Sequence, residues 1–185
     1  VGSEVKLFKV GDRVTRASMP IGTYSEKQII PEDKLVKVPD NISDEVASCI
    51  TLKGITAEYL LHRTYQVKKG DKILYHAAAG ALGQIFCPWA NALGAEIIGT
   101  VGSDEKIEIA KKNGCHHVIN YNEKNFVEEV EKIVGKNGLD VVYDGVGAKT
   151  FEGSIEVLKV RGMMVAFGNA SGCLLYTSPS PRDKR

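Results

Sequence analysis

The 185-residue chain lacks several features that would place it in a specialised class. It has no run of about 18 consecutive apolar residues, the length a membrane-spanning helix requires. It has no surplus of one charge either: 24 Lys and Arg stand against 23 Asp and Glu, a formal net charge of +1. A nucleic-acid partner, which calls for a strongly basic patch or stripe, is therefore not expected. Cysteine is sparse, and Cys49, Cys87, Cys115 and Cys173 are scattered without a CxxC or ligand-spaced cluster. That usage suggests neither a zinc site nor a disulfide framework, and it points to a reducing, cytoplasmic compartment. What is present is ordinary: 43% hydrophobic, 25% charged and 7% aromatic residues, enough for one full domain and part of another. A disordered chain would be more polar and more highly charged.

Both ends read unusually. Val1 to Val5 lacks the basic stretch and apolar run of a secretory signal, and the protein is expected to begin upstream. Cys173 to Asp183 reads CLLYTSPSPRD, without helical or strand period, and its Ser/Pro content is that of a disordered tail. The string also resembles one reading frame of a transposon-end adapter, with Lys184-Arg185 as the first codons of a barcode. Residues 173–185 are accordingly expected to be non-native, a native Pro-rich tail being the alternative. Setting aside Arg182, Lys184 and Arg185 against Asp183 turns the net charge to −1.

Two textures meet near residue 50. From Gly11 to Asp40, short β-like runs (Arg13 to Thr15, Gln28 to Ile30, Leu35 to Val38) are punctuated by Pro20, Gly22, Pro31 and Pro39, as in a small barrel or sandwich. Ser43 is a plausible N-cap, with Asp44 and Glu45 in the first turn of a helix that continues to about Tyr65. After Gly70-Asp71 strands and helices alternate. Strands are predicted at Lys72 to His76, Glu96 to Val101, His117 to Asn120, Leu139 to Tyr143 and Met163 to Phe167. Helices are predicted from Gly83 to Leu93, from a Ser103 cap to Gly114, through Phe126 to Val134, and from Lys149 to Val160 with Phe151, Ile155 and Leu158 inward. Such alternation defines an α/β fold, a doubly wound parallel Rossmann sheet. Its dinucleotide-binding form has six strands ordered 3-2-1-4-5-6, and the sixth is expected beyond Gly172.

The first strand of this sheet runs into Ala77-Ala78-Ala79-Gly80-Ala81-Leu82-Gly83. Gly80 and Gly83 hold the second and third positions of the G-x-G-x-x-G fingerprint, and Ala78 the first. Gly80 lets the backbone approach a pyrophosphate, Gly83 lets the helix pack on the strand, and the helix N-terminus donates N–H groups to the anion. About 20 residues on, an Asp or Glu at the tip of the second strand would mark NAD. The tip reads Val101-Gly102-Ser103, with no carboxylate, while Asp104 and Glu105 fall in the first helical turn, where acids are favoured by the dipole. Lys106 can pair with a 2′-phosphate, so NADP(H) is the expected cofactor, with Gly102, Ser103 and Lys106 around that phosphate; a solvated surface lysine is the alternative.

Lys53-Gly54-Ile55-Thr56, Tyr75 to Gly80, Gly99 to Gly102, Val118 to Tyr121, Val142 to Gly147 and Phe167 to Asn169 match in order a known pattern. Together they resemble the zeta-crystallin-like quinone oxidoreductases, a zinc-free branch of the medium-chain dehydrogenase/reductase family, over essentially Val1 to Gly172. The resemblance implies that residues 1–50 are the end of a GroES-like substrate domain and 51–172 a dinucleotide-binding domain. It places Ala81 and Leu82 against the pyrophosphate, Gly102, Lys106 and Tyr121 around the 2′-phosphate, and Thr56 and Tyr59 beside the nicotinamide and its ribose. Val146, Asn169 and Ala170 would form the wall behind the cofactor. No catalytic residue is assigned, Thr56 being a nicotinamide positioner, and no metal is called for.

Plainer readings stand beside these. Tyr59, at helical spacing with Leu52 and Ile55, is by default a core residue, and Tyr121 could simply cover a sheet edge. His76, His116 and His117 lack a triad or metal set, and Asp144 reads as a turn residue. Pro88 departs from the pattern, since inside a helix it removes the bond to Gln84; a tolerated kink and a sequencing error both account for it. The implied activity is hydride transfer from NADPH to a quinone or similar conjugated carbonyl by a homodimer. Enoyl-thioester or alkenal reduction is one alternative, and a crystallin-like structural or RNA-binding role that retains NADPH is another. With a sheet edge exposed, the 185-residue chain by itself is expected to be poorly soluble and inactive.

Overall fold

A computed structural model describes residues 1–17 and 20–172; the tail reading at 173–185 lies outside the described residues. The chain divides into two compact units, Val1–Glu58 and a second from Tyr59 onward.

In the first unit a minimal antiparallel pair, β1 (Val14–Thr15) and β2 (Val36–Lys37), matches two of the three β-like runs. The third, Gln28 to Ile30, forms no strand, and Ile29 is 97% exposed. A strand needs either a ladder partner or a face to bury, and Ile29 has no covered face. Helix α1 (Asp44–Tyr59) opens as expected at Ser43, whose Oγ accepts a hydrogen bond from the Val46 N–H at 3.3 Å. Its buried residues are Ala47 and Ala57, whereas Leu52 and Ile55 are exposed. The default reading of the Leu52–Ile55–Tyr59 row as core is thus corrected. Small residues, not large ones, make the inward contacts of this helix.

The second unit begins where the helix widens to a π-helical turn over Leu60–Thr64, ending at Tyr65 as the spacing predicted. Leu60 and Leu61 are fully buried, and the Tyr143 hydroxyl donates to the Leu60 carbonyl at 3.0 Å. The five-stranded sheet follows: β3 (Lys72–Tyr75), β4 (Glu96–Val101), β5 (His117–Asn120), β6 (Leu139–Asp144) and β7 (Leu158–Ala166). All neighbours are parallel, in the order β5-β4-β3-β6-β7. This is the 3-2-1-4-5 portion of the doubly wound arrangement, with its switch point between β3 and β4 on one side and β6 on the other. Helices α2 (Gly83–Ala92), α3 (Ile107–Lys112), α4 (Phe126–Val134) and α5 (Phe151–Glu156) connect the strands. Leu74, Ile98, Ile119 and Val142 on the strands pack with Val130 of α4 and Val157 in one core, against which the Phe126, Val127, Ile133 and Val134 stripe closes.

In the second unit, two further elements differ from the sequence expectation. The helix read from Lys149 to Val160 is only Phe151–Glu156, and Leu158 already belongs to β7, paired with Leu139. An advance of two residues on β6, from Leu139 to Val141, corresponds to five on β7, from Leu158 to Met163, and Arg161 sits in the excess at φ 69°. Ile155, expected inward, is 49% exposed. The inward stripe is instead Thr150, Ser154 and Val157, two of them polar, so counting apolar residues misphased the helix. The second difference is at Ser103. It precedes a 3₁₀ turn over Asp104–Lys106 that leads into α3, and its side chain makes no capping hydrogen bond.

Pro88 is exposed, and α2 runs through it from Gly83 to Ala92. The kink reading needs no break in the helix, only one missing amide donor. Replacing Pro88 by Ala restores that donor on a solvated face and is expected to stabilise the chain by about 1–3 kcal/mol, seen as a higher thermal midpoint. An unchanged or lower midpoint would contradict this.

Candidate functional site

The site forms where β3, β4 and β6 end. Ala77 leaves β3 in the left-handed region, φ 59°, and the Gly80 N–H donates to its carbonyl at 2.8 Å, closing a tight turn before α2. An L-residue there is strained by about 1 kcal/mol or more, so the surroundings must hold it. Gly83 explains why the turn stays tight. A Cβ on Gly83 would collide with the Ala78 carbonyl oxygen and lie 2.7 Å from its carbon and 2.9 Å from its Cα. Only a glycine lets α2 start this close to the strand.

Beside the turn lies a cleft of about 140 Å³ lined by Ala77, Ala79, Gly80, Val101, Gly102, Lys106 and Tyr121. Four of the residues picked out from sequence, Gly80, Gly102, Lys106 and Tyr121, therefore meet in one place. No carboxylate lines it, and Lys106 is exposed with no ion pair among the described residues. Gly102 admits the Tyr121 ring: a Cβ there would lie 3.1 Å from the tyrosine Oη. The tips of β4 and β5 are tied together by two side chains given no site role in the sequence, Asn120 and Asn122, and by one backbone bond. Asn120 donates to Asp104 Oδ1 at 2.9 Å, Asn122 donates to the Gly102 carbonyl at 2.7 Å, and the Tyr121 N–H reaches the Val101 carbonyl at 3.1 Å. Asp104 is thus engaged by Asn120 as well as sitting in a favourable first turn.

The other sequence candidates fall around this cleft or apart from it. Ala81 and Leu82 lie at the entry of α2, and Ser103 between the β4 tip and the 3₁₀ turn. Val146 is buried in the loop after β6, and Asn169 and Ala170 are exposed in the loop after β7. Those loops are joined by backbone bonds from Ala170 N to Gly145 O at 3.3 Å and from Ser171 N to Val146 O at 2.7 Å. Tyr59, the first residue of the second unit, is 37% exposed. Thr56 belongs to the first unit, and its hydroxyl donates to the Leu52 carbonyl at 2.8 Å.

Beneath the turn is a buried polar chain. His76 Nδ1 lies 2.9 Å from Thr100 Oγ1, and Nε2 lies 2.9 Å from Ser154 Oγ. Ser154 Oγ is 3.4 Å from Asp144 Oδ2, which also accepts from the Thr150 hydroxyl at 2.8 Å. Asp144 Oδ1 receives the N–H groups of Val146 at 2.8 Å and Gly147 at 3.0 Å, the turn role expected of it. His76, given no role in the sequence for want of a triad or metal set, has a hydroxyl partner at each ring nitrogen. Its partners stand 24 and 78 positions away, out of reach of any local pattern. The usable signal was a histidine ending an apolar strand, since a buried imidazole must find donors and acceptors somewhere.

Comparison with known proteins bears on this site. The arrangement is that of a dinucleotide-binding sheet, with its ligand cleft at the carboxyl edge. Residues 81–180 match the sequence profile of the family described as zinc-binding dehydrogenase, and the chain belongs to that family. It is 50% identical over 174 residues to a 2-haloacrylate reductase from a Burkholderia species, covering 93% of this chain and 52% of the relative. It is 48% identical over 174 residues to quinone oxidoreductase 1 of Escherichia coli, covering 94% and 53%. Among solved structures, Escherichia coli quinone oxidoreductase complexed with NADPH superposes with a TM-score of 0.92 at 47% identity, over 96% of this chain and 55% of that one. The chain spans about half the length of these relatives. The family's description names zinc; among the described residues there is no group of three or more His, Cys, Asp or Glu that could hold a metal ion. No helix among them is long and apolar enough to cross a membrane.

Burial pushes the His76 pKa down to about 4, against the opposing pull of Asp144. The unfolded chain therefore binds the extra proton from about pH 6.5 downward, whereas the folded chain resists it to about pH 4. Stability from this group is complete above pH 6.5 and drains away as pH falls to about 4, a loss on the order of 3 kcal/mol. The difference in unfolding free energy between the wild-type chain and His76→Gln, from urea titrations, should shrink by about that amount between pH 7 and pH 4. A difference independent of pH would refute it.

Proposed function

We propose that the chain is the nucleotide-binding part of an NADPH-dependent oxidoreductase that reduces quinones or similarly conjugated acceptors. The observation that carries this reading is the cleft between the Gly80 turn and the β4 and β5 tips, which offers Lys106 and Tyr121 and no carboxylate. A 2′-phosphate is attracted by an ammonium in that position and repelled by the acid that would mark NAD. The tight start of α2 at Gly83 fits a pyrophosphate against helix-terminal N–H groups at Ala81 and Leu82. When bound, the nicotinamide supplies the hydride. The chain's own residues hold and orient it: Gly80, Ala81, Leu82 and Gly83 at the pyrophosphate, Gly102, Ser103, Lys106 and Tyr121 at the 2′-phosphate. Val146, Asn169 and Ala170 form the wall, and Thr56 and Tyr59 flank the nicotinamide end.

The names of the relatives support the acceptor class. A quinone and a 2-haloacrylate both present a carbon–carbon double bond conjugated to a carbonyl, an electron-poor π system open to reduction. Domain limits at 1–50 and 51–172, a homodimeric whole protein and a cytoplasmic location complete the proposal.

Lys106→Glu should weaken NADPH by about tenfold or more in fluorescence titrations of the 185-residue chain, while NADH changes about twofold or less. Equal losses for both nucleotides would remove the 2′-phosphate assignment.

A further inference from the structure

We propose that His76 is a positioning residue for the nucleotide cleft: as a neutral imidazole protonated on Nε2, it locks together the carboxyl ends of β3, β4 and β6 and the loops that spring from them. This rests on the NADPH reading and deepens it.

Proton counting fixes the tautomer. The single hydroxyl proton of Ser154 has a strong acceptor in the Thr150 carbonyl, at 2.7 Å. With that proton committed, Ser154 Oγ offers only lone pairs toward His76, so Nε2 must carry the hydrogen and donate. Nδ1 is then an acceptor, and the Thr100 hydroxyl donates to it. Thr150 donates its own hydroxyl proton to Asp144 Oδ2, leaving Asp144 acceptor throughout. Every member of the chain is satisfied in this arrangement. The opposite tautomer forces Ser154 to give up the Thr150 carbonyl and aims Nδ1–H at Thr100, whose own proton then loses its partner. A protonated ring has that second defect together with a buried charge.

Ser154, His76 and Asp144 have the composition of a hydrolytic triad, but the geometry denies that use. The aspartate reaches the serine and not the imidazole, and all three side chains are sealed from solvent, at 1% exposure or less. Packed against the ring are Thr100 from β4, Ser154 from α5 and the edge-on Phe126 of α4, centroid separation 5.1 Å; Asp144 of β6 is the facing charge.

What the chain controls is loop shape. His76 immediately precedes the strained Ala77, and its backbone N–H donates to the Tyr143 carbonyl at 3.0 Å, so the residue is fastened on both sides where the Gly80 turn begins. Through Ser154, whose hydroxyl donates to the Thr150 carbonyl, it reaches Thr150, and the Thr150 hydroxyl holds Asp144, which shapes Val146 and Gly147; the loop after β7 hangs from Gly145 and Val146 in turn. Three loops assigned to the nucleotide thus share one buried anchor. Removing the imidazole should loosen all of them while leaving the sheet ladders intact.

The test uses the 185-residue chain with NADPH as probe, at a temperature where circular dichroism shows each variant folded. His76→Ala should weaken NADPH about tenfold or more, and His76→Gln, which keeps a donor toward Ser154, should recover most of that loss. Ser154→Ala, milder in packing, should weaken binding in the same direction and keeps the question open to measurement if His76→Ala fails to fold. Nitrogen-15 spectra of the labelled histidines should show His76 with its proton on Nε2 at pH 7. Unchanged affinity in His76→Ala or Ser154→Ala, or an Nδ1–H or cationic ring, would overturn the positioning role while the cofactor reading stands. Failure of the unmodified chain to bind NADPH would instead overturn the cofactor reading and take the positioning role with it.

Discussion

No methyl group can be placed on Gly83 without striking the backbone of Ala78, and the rest of the site depends on that contact. Because α2 begins so close to β3, the chain between them has room only for a tight turn, with Ala77 in the left-handed region and Gly80 folded back on its carbonyl. The turn brings the helix N-terminus to the carboxyl edge of the sheet. There the strand order reverses and leaves an opening. A larger residue at 83 would lift the helix and widen the turn, and the N–H groups would point past any anion in the opening.

The sheet around this contact was largely legible in the sequence. Buried parallel strands write themselves as short apolar runs, and Ile97, Ile98, Val141 and Val142 are fully buried members of such runs. The helix from Phe126 to Val134 kept its stripe because its inward residues are all apolar. Of the cleft, Gly80, Gly102 and Lys106 were legible from their distance to a strand end, whereas Tyr121 entered through the family resemblance, its position after a strand fitting a sheet-edge cover as well. What escaped reading was polar and buried. Thr150 and Ser154 face inward from α5, where an apolar count sees solvent-facing residues, and so the helix was drawn too long and turned the wrong way. His76 escaped for a related reason, its partners being brought to it only by the packing of β4 and α5.

These buried polar groups carry an energetic obligation that the apolar core does not. An apolar side chain tolerates small displacements, whereas an orphaned buried donor costs about 1–3 kcal/mol. The chain from Thr100 to Asp144 is therefore rigid in proportion to how fully it is satisfied, and it lies directly under the loops that shape the cleft. Apolar packing sets the fold, and the hydrogen-bonded chain sets the local geometry at the strand ends.

The ties between the β4 and β5 tips, Asn120 to Asp104 and Asn122 to Gly102, hold through amide side chains, not through pairs of opposite charges. Dissolved salt, which screens exposed charges beyond about 8 Å at physiological ionic strength, has little hold on such bonds. The width of the cleft is consequently indifferent to ionic strength, while the exposed ammonium of Lys106 at its rim is fully subject to it. Shape and charge at this site respond to the medium separately: a rise in salt dims the attraction for a phosphate and leaves the opening that would receive it unaltered.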